Sequence, residues 1–179
     1  MQKSLLFLTI IIFGFSQDTI TKNGIDYRLE NISFDILTTV NNEDLHLGLA
    51  MGINNGNNFK TNVFFLARPY RKKVYVDVSE VLTDRYLENR YTVGINLDKT
   101  YYLNKDFALY SNFGLGLTYG SYSGTDNNPD TKPIFTIGLG IEPSPNFRLG
   151  YEYANLPNTN QHRLTVAFRF RFLTPIEGN

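Results

Sequence analysis

Charged side chains near the end of the chain share one parity in two successive segments of alternating pattern. Arg148 and Glu152 lie on one face of the first segment, and Arg163 and Arg169 lie on the corresponding face of the second. A hairpin register that sets Glu152 opposite Arg163 respects the parity of both segments. The cluster predicts either a charged constriction that selects an ion or a solute, or a set of ion pairs that fills an interior. We favour the filled interior, because buried charges must be paired.

Other reactive side chains are sparse. There are two histidines, His46 and His162, and no cysteine, so disulfides and thiolate chemistry do not enter. The glycines follow the parity of the alternating segments and form no phosphate-binding loop, and no metal-ligand spacing is present. Lys and Arg together number 17, as do Asp and Glu, which argues against nucleic acid as the partner. We therefore expect no enzymatic activity and no cofactor.

The N-terminal stretch predicts export. A lysine precedes the apolar run Leu5–Phe15, whose eleven residues suit a signal peptide and are too few to span a bilayer. Gly14 and Ser16 occupy the −3 and −1 positions of a plausible cleavage site. The sequence therefore predicts a signal peptide over residues 1–16, followed by a polar periplasmic lead-in over 17–30.

The remaining chain alternates with a period of two, which predicts strands. In the clearest strands, Leu, Ile and Phe alternate with Gly, Ala, Thr and Asn, and the separators are rich in Asn, Pro and Gly. Nine candidate strands can be read, over residues 31–40, 44–53, 59–67, 73–82, 90–99, 106–120, 133–142, 146–154 and 162–172.

Two features favour a barrel that spans a membrane over a soluble secreted barrel. The polar face consists mostly of small residues, which suit the crowded interior of a narrow barrel better than a solvent-facing surface. Aromatic residues of apolar parity lie near both strand ends, and Tyr91 and Tyr101 are ten residues apart. At a tilt of ~40° that distance is about 26 Å, close to the ~25 Å apolar band of membrane barrels. The predicted membrane-interface girdles are Tyr101, Phe107, Phe147 and Phe172 at the periplasmic rim, and Tyr91, Tyr119 and Phe135 at the outer rim.

The turn lengths and the need for an even number of strands limit the possible topologies. The short turns, assigned to the periplasmic end, lie near 68–72, 100–105 and 143–145. The longest loop, 121–132, falls on the outer side, as expected for such barrels. Because both termini should be periplasmic, the number of strands should be even, whereas nine segments are read. We favour eight strands, with 31–40 irregular or merged with a neighbour. The alternative is ten, with an additional strand near 20–29.

The last strand resembles the terminal β-signal of outer-membrane proteins, because Leu164–Phe172 alternates aromatic residues and ends in Phe. The stretch Phe113–Gly120 resembles strands of small outer-membrane barrels of the OmpA, OmpX and OmpW kind. The resemblance implies an all-β fold, a transmembrane antiparallel up-and-down β-barrel over residues 31–173, in the outer membrane of a gram-negative cell. It also implies outer-membrane lipid and the barrel-insertion machinery as partners. One departure is that residues follow the last Phe; 174–179 are predicted to be a C-terminal tail.

An enzymatic alternative rests on a second resemblance. The lipid A deacylase family carries a His-x-Ser-Asn element on its penultimate strand, and the matching stretch here retains Asn155. Glu152 stands in place of the His and Ala154 in place of the nucleophilic Ser, so the hydrolytic mechanism has no attacking group. We predict a non-enzymatic barrel with a structural or interaction role. A narrow channel for small solutes and an outer-leaflet lipid-modifying enzyme are the alternatives. A protein partner in a membrane complex would bind the 121–132 loop or an uncharged apolar outer face.

Overall fold

The computed structural model describes residues 19–22, 25–56, 58–79, 82–104, 107–123, 130–156 and 161–175. The predicted signal peptide therefore lies outside the described residues. The strands, in chain order, are β1 (Thr19–Lys22), β2 (Ile25–Val40), β3 (Leu45–Gly56), β4 (Phe59–Ala67), β5 (Lys72–Ser79), β6 (Leu82–Tyr102), β7 (Ala108–Ser123), β8 (Asp130–Ser144), β9 (Phe147–Ala154) and β10 (His162–Pro175). Within these ranges, no helix is long and apolar enough to cross a bilayer.

Eight of the strands close into a barrel. The antiparallel pairing runs from β2 through β3, β4, β6, β7, β8 and β9 to β10, and β10 pairs back with β2. Apart from β5, neighbours in the sheet are neighbours in the chain, which is the up-and-down arrangement. The predicted all-β barrel, with eight strands rather than ten, is confirmed.

The strand predicted over 73–82 is present as β5, but it is not a barrel strand, so counting it among the spanning strands was wrong. Among the described residues β5 pairs only with the first part of β6, from Lys72 opposite Glu88 to Ser79 opposite Leu82. The barrel wall is continued by β4, which pairs directly with β6. A protruding hairpin and a membrane-spanning strand alternate in the same way, so the sequence pattern does not separate them.

Three predictions about other segments also differ from the structure. The segment 31–40 is neither irregular nor merged, since it forms the continuous second half of β2. The turn near 68–72 joins β4 to the hairpin, so it lies at the outer end of the barrel and not at the periplasmic end. The lead-in predicted over 17–30 includes strand residues, because β2 begins at Ile25 and β1 pairs with it.

Short turns close one end of the barrel. Asn58, between β3 and β4, has a φ of 62°, a left-handed conformation that asparagine tolerates. Asn104, between β6 and β7, accepts a hydrogen bond from the Phe107 N–H through its Oδ1 at 2.8 Å. Pro145 and Asn146 alone separate β8 from β9. Because short turns mark the periplasmic side of outer-membrane-type barrels, we call this end periplasmic and the opposite end outer.

The barrel exposes apolar side chains on its outside and buries charged side chains inside, which is the reverse of a soluble protein. Outward side chains such as Leu115, Ile137 and Leu139 are 57%, 56% and 67% exposed, whereas the charged side chains Asp35 and Arg169 are buried inside. Exposed apolar surface of this extent is stable only against lipid. A closed sheet also satisfies its backbone hydrogen bonds without water, as a bilayer requires. The structure therefore excludes the soluble barrel that the sequence left as an alternative.

Candidate functional site

The lumen contains twelve buried charged side chains among the residues whose side chains are described. Six are cationic and six are anionic, so together they carry no net charge. The cations are Lys60, Arg68, Arg90, Arg148, Arg163 and Arg169, and the anions are Asp35, Asp44, Glu88, Asp98, Glu142 and Glu152. A balanced interior lacks the field of a single sign that concentrates ions of the opposite charge.

Half of these charges form a chain of ion pairs near the periplasmic end. Lys60 Nζ lies 2.9 Å from Asp35 Oδ2, and Asp35 Oδ1 lies 3.1 Å from Arg169 Nε. Arg169 Nη1 is 3.2 Å from Glu142 Oε1, and the same oxygen is 2.7 Å from Arg148 Nε. Asp35, Arg169 and Glu142 therefore each bridge two partners of opposite charge.

The chain returns to the strand on which it begins. Arg148 Nη1 lies 2.6 Å from Asp98 Oδ2, and Asn62 Nδ2 donates to that same oxygen at 2.8 Å. Asn62 and Lys60 are inward neighbours on β4, so the circuit closes and joins six barrel strands. We call it the charge ring; its members are Lys60, Asp35, Arg169, Glu142, Arg148, Asp98 and Asn62.

An aromatic ring and two glycines position Arg148. The Arg148 guanidinium lies 3.8 Å from the centre of the Tyr110 ring, a cation–π contact. Gly140 and Gly150 are paired across β8 and β9 beside that ring. A Cβ at Gly150 would stand 2.0 Å from Tyr110 Oη, and a Cβ at Gly140 would stand 2.2 Å from the Leu149 carbonyl oxygen. The absence of side chains at these glycines therefore provides the space that Tyr110 fills.

Glu152 and Arg163 form a separate ion pair. The register of β9 and β10 sets the two residues directly opposite each other, which confirms the predicted register. Arg163 Nε lies 2.7 Å from Glu152 Oε1, and Arg163 Nη2 contacts the same oxygen. Asn112 Nδ2 donates to Glu152 Oε2 at 3.1 Å. Both carboxylate oxygens thus accept hydrogen bonds in a buried position.

A third cluster lies at the outer end of the lumen. Arg68 Nη2 is 2.5 Å from Asp44 Oδ2, and Arg68 Nη1 is 3.3 Å from Glu88 Oε2. Glu88 Oε1 also accepts hydrogen bonds from Arg90 Nε at 2.9 Å and from Arg90 Nη2 at 2.6 Å. Burial raises the pKa of the Asp44 carboxyl, but the hydrogen bonds and charge of Arg68 outweigh it and hold that pKa below its usual range. Asp44 is therefore ionised at neutral pH.

Little free space remains between these clusters. One cavity of about 40 Å³ borders Tyr110, Asn112 and Arg163, and another of about 30 Å³ borders Lys60 and Arg169. A buried water needs ~10–15 Å³ on the same measure, so each cavity has room for about two to four waters. Members of the charge ring border both cavities. The described lumen is thus filled, with two small polar cavities.

Comparison with solved structures fits this geometry. The Neisserial surface protein A has a TM-score of 0.52 and 15% sequence identity, covering 79% of this chain and 94% of that chain. This chain has the fold of a small outer-membrane β-barrel. The N-terminal barrel domain of Pseudomonas aeruginosa OprF has a TM-score of 0.49 and 12% identity, covering 79% and 99% of the two chains. The Yersinia pestis outer membrane protein Ail, in a phospholipid bilayer nanodisc, has a TM-score of 0.48 and 18% identity, covering 79% and 98%. No protein-family model and no curated protein matches the sequence.

The aromatic residues predicted for the two girdles lie on the outside of the barrel where their side chains are described. Tyr91, Tyr119 and Phe135 are exposed toward the outer end, and Tyr91 and Tyr119 have ring centroids 6.4 Å apart. Tyr101 is exposed toward the periplasmic end. Two further predicted residues, Phe107 and Phe147, are half-buried there, and the Phe172 side chain lies outside the described part of β10.

The arginines of the charge ring were predicted from the sequence to face the interior, but its carboxylates were not. Asp35, Asp98 and Glu142 each occupy an inward position within a strand that the sequence predicts. Applying the inward parity to every predicted strand, and not only to the last hairpin, would have identified them. The girdle prediction likewise omitted outward aromatic residues such as Phe59 and Tyr151.

The stretch compared with the deacylase element has structural contacts. Glu152 is engaged by Arg163, and Ala154 is fully buried. The Asn155 side-chain oxygen accepts a hydrogen bond from the Phe135 N–H at 2.5 Å. Asn155 thus holds the end of β9 against β8, and Glu152 joins β9 to β10.

The Glu152–Arg163 pair is separate from the charge ring, so its contribution to the free energy of unfolding can be measured directly. Arg163→Met alone leaves a buried carboxylate and should lower the free energy of unfolding by about 3–5 kcal/mol. The double variant Arg163→Met with Glu152→Met removes both charges and should lose less than either single variant. Urea unfolding of the barrel in lipid vesicles measures all three. Additive losses in the double variant would contradict the pairing.

Proposed function

We propose that this protein is a closed, non-conducting outer-membrane barrel with a structural or interaction role. The charge ring is the observation that supports the proposal. It crosses the lumen between six strands, and its three cations and three anions are each within ion-pair distance of an opposite charge. Passage of an ion or solute would require a continuous hydrated path. Opening one would separate charges in a low-dielectric interior, at high cost.

The outer end supplies the surface for an interaction. The outer part of β6 and its partner β5 pair over residues 82–88 beyond β4, which is roughly 24 Å of strand at 3.4 Å per residue. The base of this hairpin is fixed, because Glu88 on β6 contacts Arg68, which in turn contacts Asp44. A rigid base presents the hairpin, together with the outer loop that the sequence predicts, to a partner protein.

Conductance measurements in planar lipid bilayers test the closed state. The wild-type barrel should show no single-channel steps in concentrated potassium chloride. The double variant Arg148→Ser with Glu142→Ser removes one cation and one anion from the charge ring. It leaves the net charge unchanged and should produce resolved steps, since two large side chains no longer fill the lumen.

A matched control uses an ion pair outside the lumen. Lys72 Nζ lies 3.6 Å from Glu43 Oε2, and both side chains are partly exposed. The variant Lys72→Ser with Glu43→Ser should remain silent. Wild-type protein that inserts, shifts on boiling in detergent gels and nevertheless conducts would contradict the proposal and favour the narrow channel.

We also infer that the barrel is not an enzyme. His46 is buried in the lumen, and His162 lies on the outer surface with its Nδ1 2.6 Å from Tyr151 Oη, so the two histidines do not share a site. Within the described ranges, no group of three or more His, Asp or Glu side chains could hold a metal ion. The buried carboxylates are engaged by arginine or lysine, which leaves the outer-leaflet lipid-modifying alternative without a general base.

A further inference from the structure

A groove of about 720 Å³ runs along the lipid-facing surface between β6 and β9. Ser111 lies at its floor, in an outward position of β7 whose outward neighbours Leu109 and Phe113 are large. The register places Ser111 between Lys99 on β6 and Leu139 on β8. One small side chain in a row of large ones therefore makes the hollow, and its volume lies in the range of small-molecule sites.

A single cation stands at the periplasmic side of this groove. Lys99 is the one charged residue at an outward position of the barrel strands, among those whose side chains are described. Its Nζ lies 4.0 Å from the centre of the Phe59 ring and 5.9 Å from that of Tyr101. These cation–π contacts hold the ammonium at the rim, where a lysine stem lies along apolar surface and its charge reaches the headgroup layer.

The opposite side of the groove is lined by aromatic rings. Tyr151 Oη lies 2.6 Å from His162 Nδ1, and the Tyr153 ring packs edge-on against the same imidazole at 5.3 Å. Between this wall and Lys99 the lining is mostly apolar, and its polar residues are Ser111 and Asn112. The groove thus offers one positive charge at headgroup depth, followed by an apolar trough.

We propose that this groove binds one phospholipid of the periplasmic leaflet. Its phosphate contacts the Lys99 ammonium, and an acyl chain lies over Ser111 between Phe113 and Leu139. Charge complementarity selects this occupant. A second copy of the chain would bring an apolar face that, over its described barrel strands, has no outward carboxylate to meet Lys99. The proposal is independent of whether the lumen conducts.

Lipid association in vesicles tests the site on the intact barrel. The barrel is reconstituted in phosphatidylcholine containing a trace of spin-labelled phosphatidylglycerol, and the immobilised fraction of the label is measured. Lys99→Gln should lower the preference for phosphatidylglycerol about fivefold, since one surface lysine contributes on that order. Lys132→Gln, at the outer end of β8, is the matched control and should leave the preference unchanged.

A second pair of variants tests the trough itself. Ser111→Leu fills the hollow and should reduce the immobilised fraction of both headgroups, whereas Thr38→Leu, an outward change on β2 away from the groove, should not. Heat-shifted mobility in detergent gels confirms that each variant is folded. Equal preferences in Lys99→Gln and Lys132→Gln would overturn the proposal. A dimer that Ser111→Leu abolishes without changing lipid association would assign the groove to a second copy and would also overturn it.

Discussion

Replacing Arg148 with methionine should lower the free energy of unfolding by about 3–5 kcal/mol, because it removes one partner of buried ion pairs. Arg148 lies within 2.7 Å of both Glu142 and Asp98 and stacks on Tyr110. Its loss leaves two buried carboxylates in the lumen with fewer cations to pair them. Urea unfolding in lipid vesicles measures the change.

Two controls separate this effect from a general loss of charge. Arg71→Met removes an exposed arginine at the outer turn and should change stability by less than about 0.5 kcal/mol. Arg148→Lys keeps the charge but not the planar fork that reaches two carboxylates, so an intermediate loss is expected. A loss for Arg148→Met no greater than that for Arg71→Met would show that the charge ring contributes nothing to stability.

The glycines beside Tyr110 should give a second large effect with a specific rescue. Gly150→Ala places a Cβ 2.0 Å from Tyr110 Oη, and overpacking of this kind costs about 1–3 kcal/mol. Tyr110→Phe removes that oxygen, and the next contact of the added Cβ is 3.0 Å to Cζ. The combination Gly150→Ala with Tyr110→Phe should therefore recover most of the stability lost by Gly150→Ala alone.

Gly140→Ala is the matched control for this rescue. Its Cβ would meet the Leu149 carbonyl oxygen at 2.2 Å, Tyr110 Cε1 at 2.6 Å and the Gly150 Cα at 2.7 Å, and a phenylalanine at position 110 keeps the equivalent ring carbon. Tyr110→Phe removes none of these contacts, so it should not restore stability to Gly140→Ala. The measurement is the unfolding midpoint of each single and double variant. Equal rescue of both glycine variants would mean that Tyr110 does not occupy the space between the strands as described.

The barrel was predictable because the period-two alternation indicates which side chains face the outside of the sheet and which face the interior. Leu115 and Leu117 point outward while Gly116 points inward, as the pattern alone indicates. The Glu152–Arg163 register was predictable for the same reason, since the two residues belong to adjacent strands joined by one loop. Local rules suffice where the partners are sequential neighbours.

The remaining contacts and strand pairings join residues that are far apart in the sequence, and no local pattern predicts them. Asp35 contacts Arg169 only because β2 meets β10, and Asp98 contacts Arg148 across the width of the lumen. The strand β5 alternates like a barrel strand, yet β4 pairs with β6 and leaves it outside. The start of β2 was not predicted because the apolar parity changes within the strand: Ile25, Tyr27 and Leu29 are at odd positions, whereas the segment 32–40 has most of its apolar residues at even positions.

The ion pair between Asp35 and Arg169 also bears on how the barrel is assembled. These residues are 134 positions apart and lie on the first and last barrel strands, so the pair forms only at the final seam. Until then the inward charges face a half-open cleft, where only water can solvate them. Seam closure, pairing of the charges and expulsion of water are therefore coupled events. Insertion should be slow and cooperative, as contacts of such long range require, and the lumen must stay wet until the last strand docks.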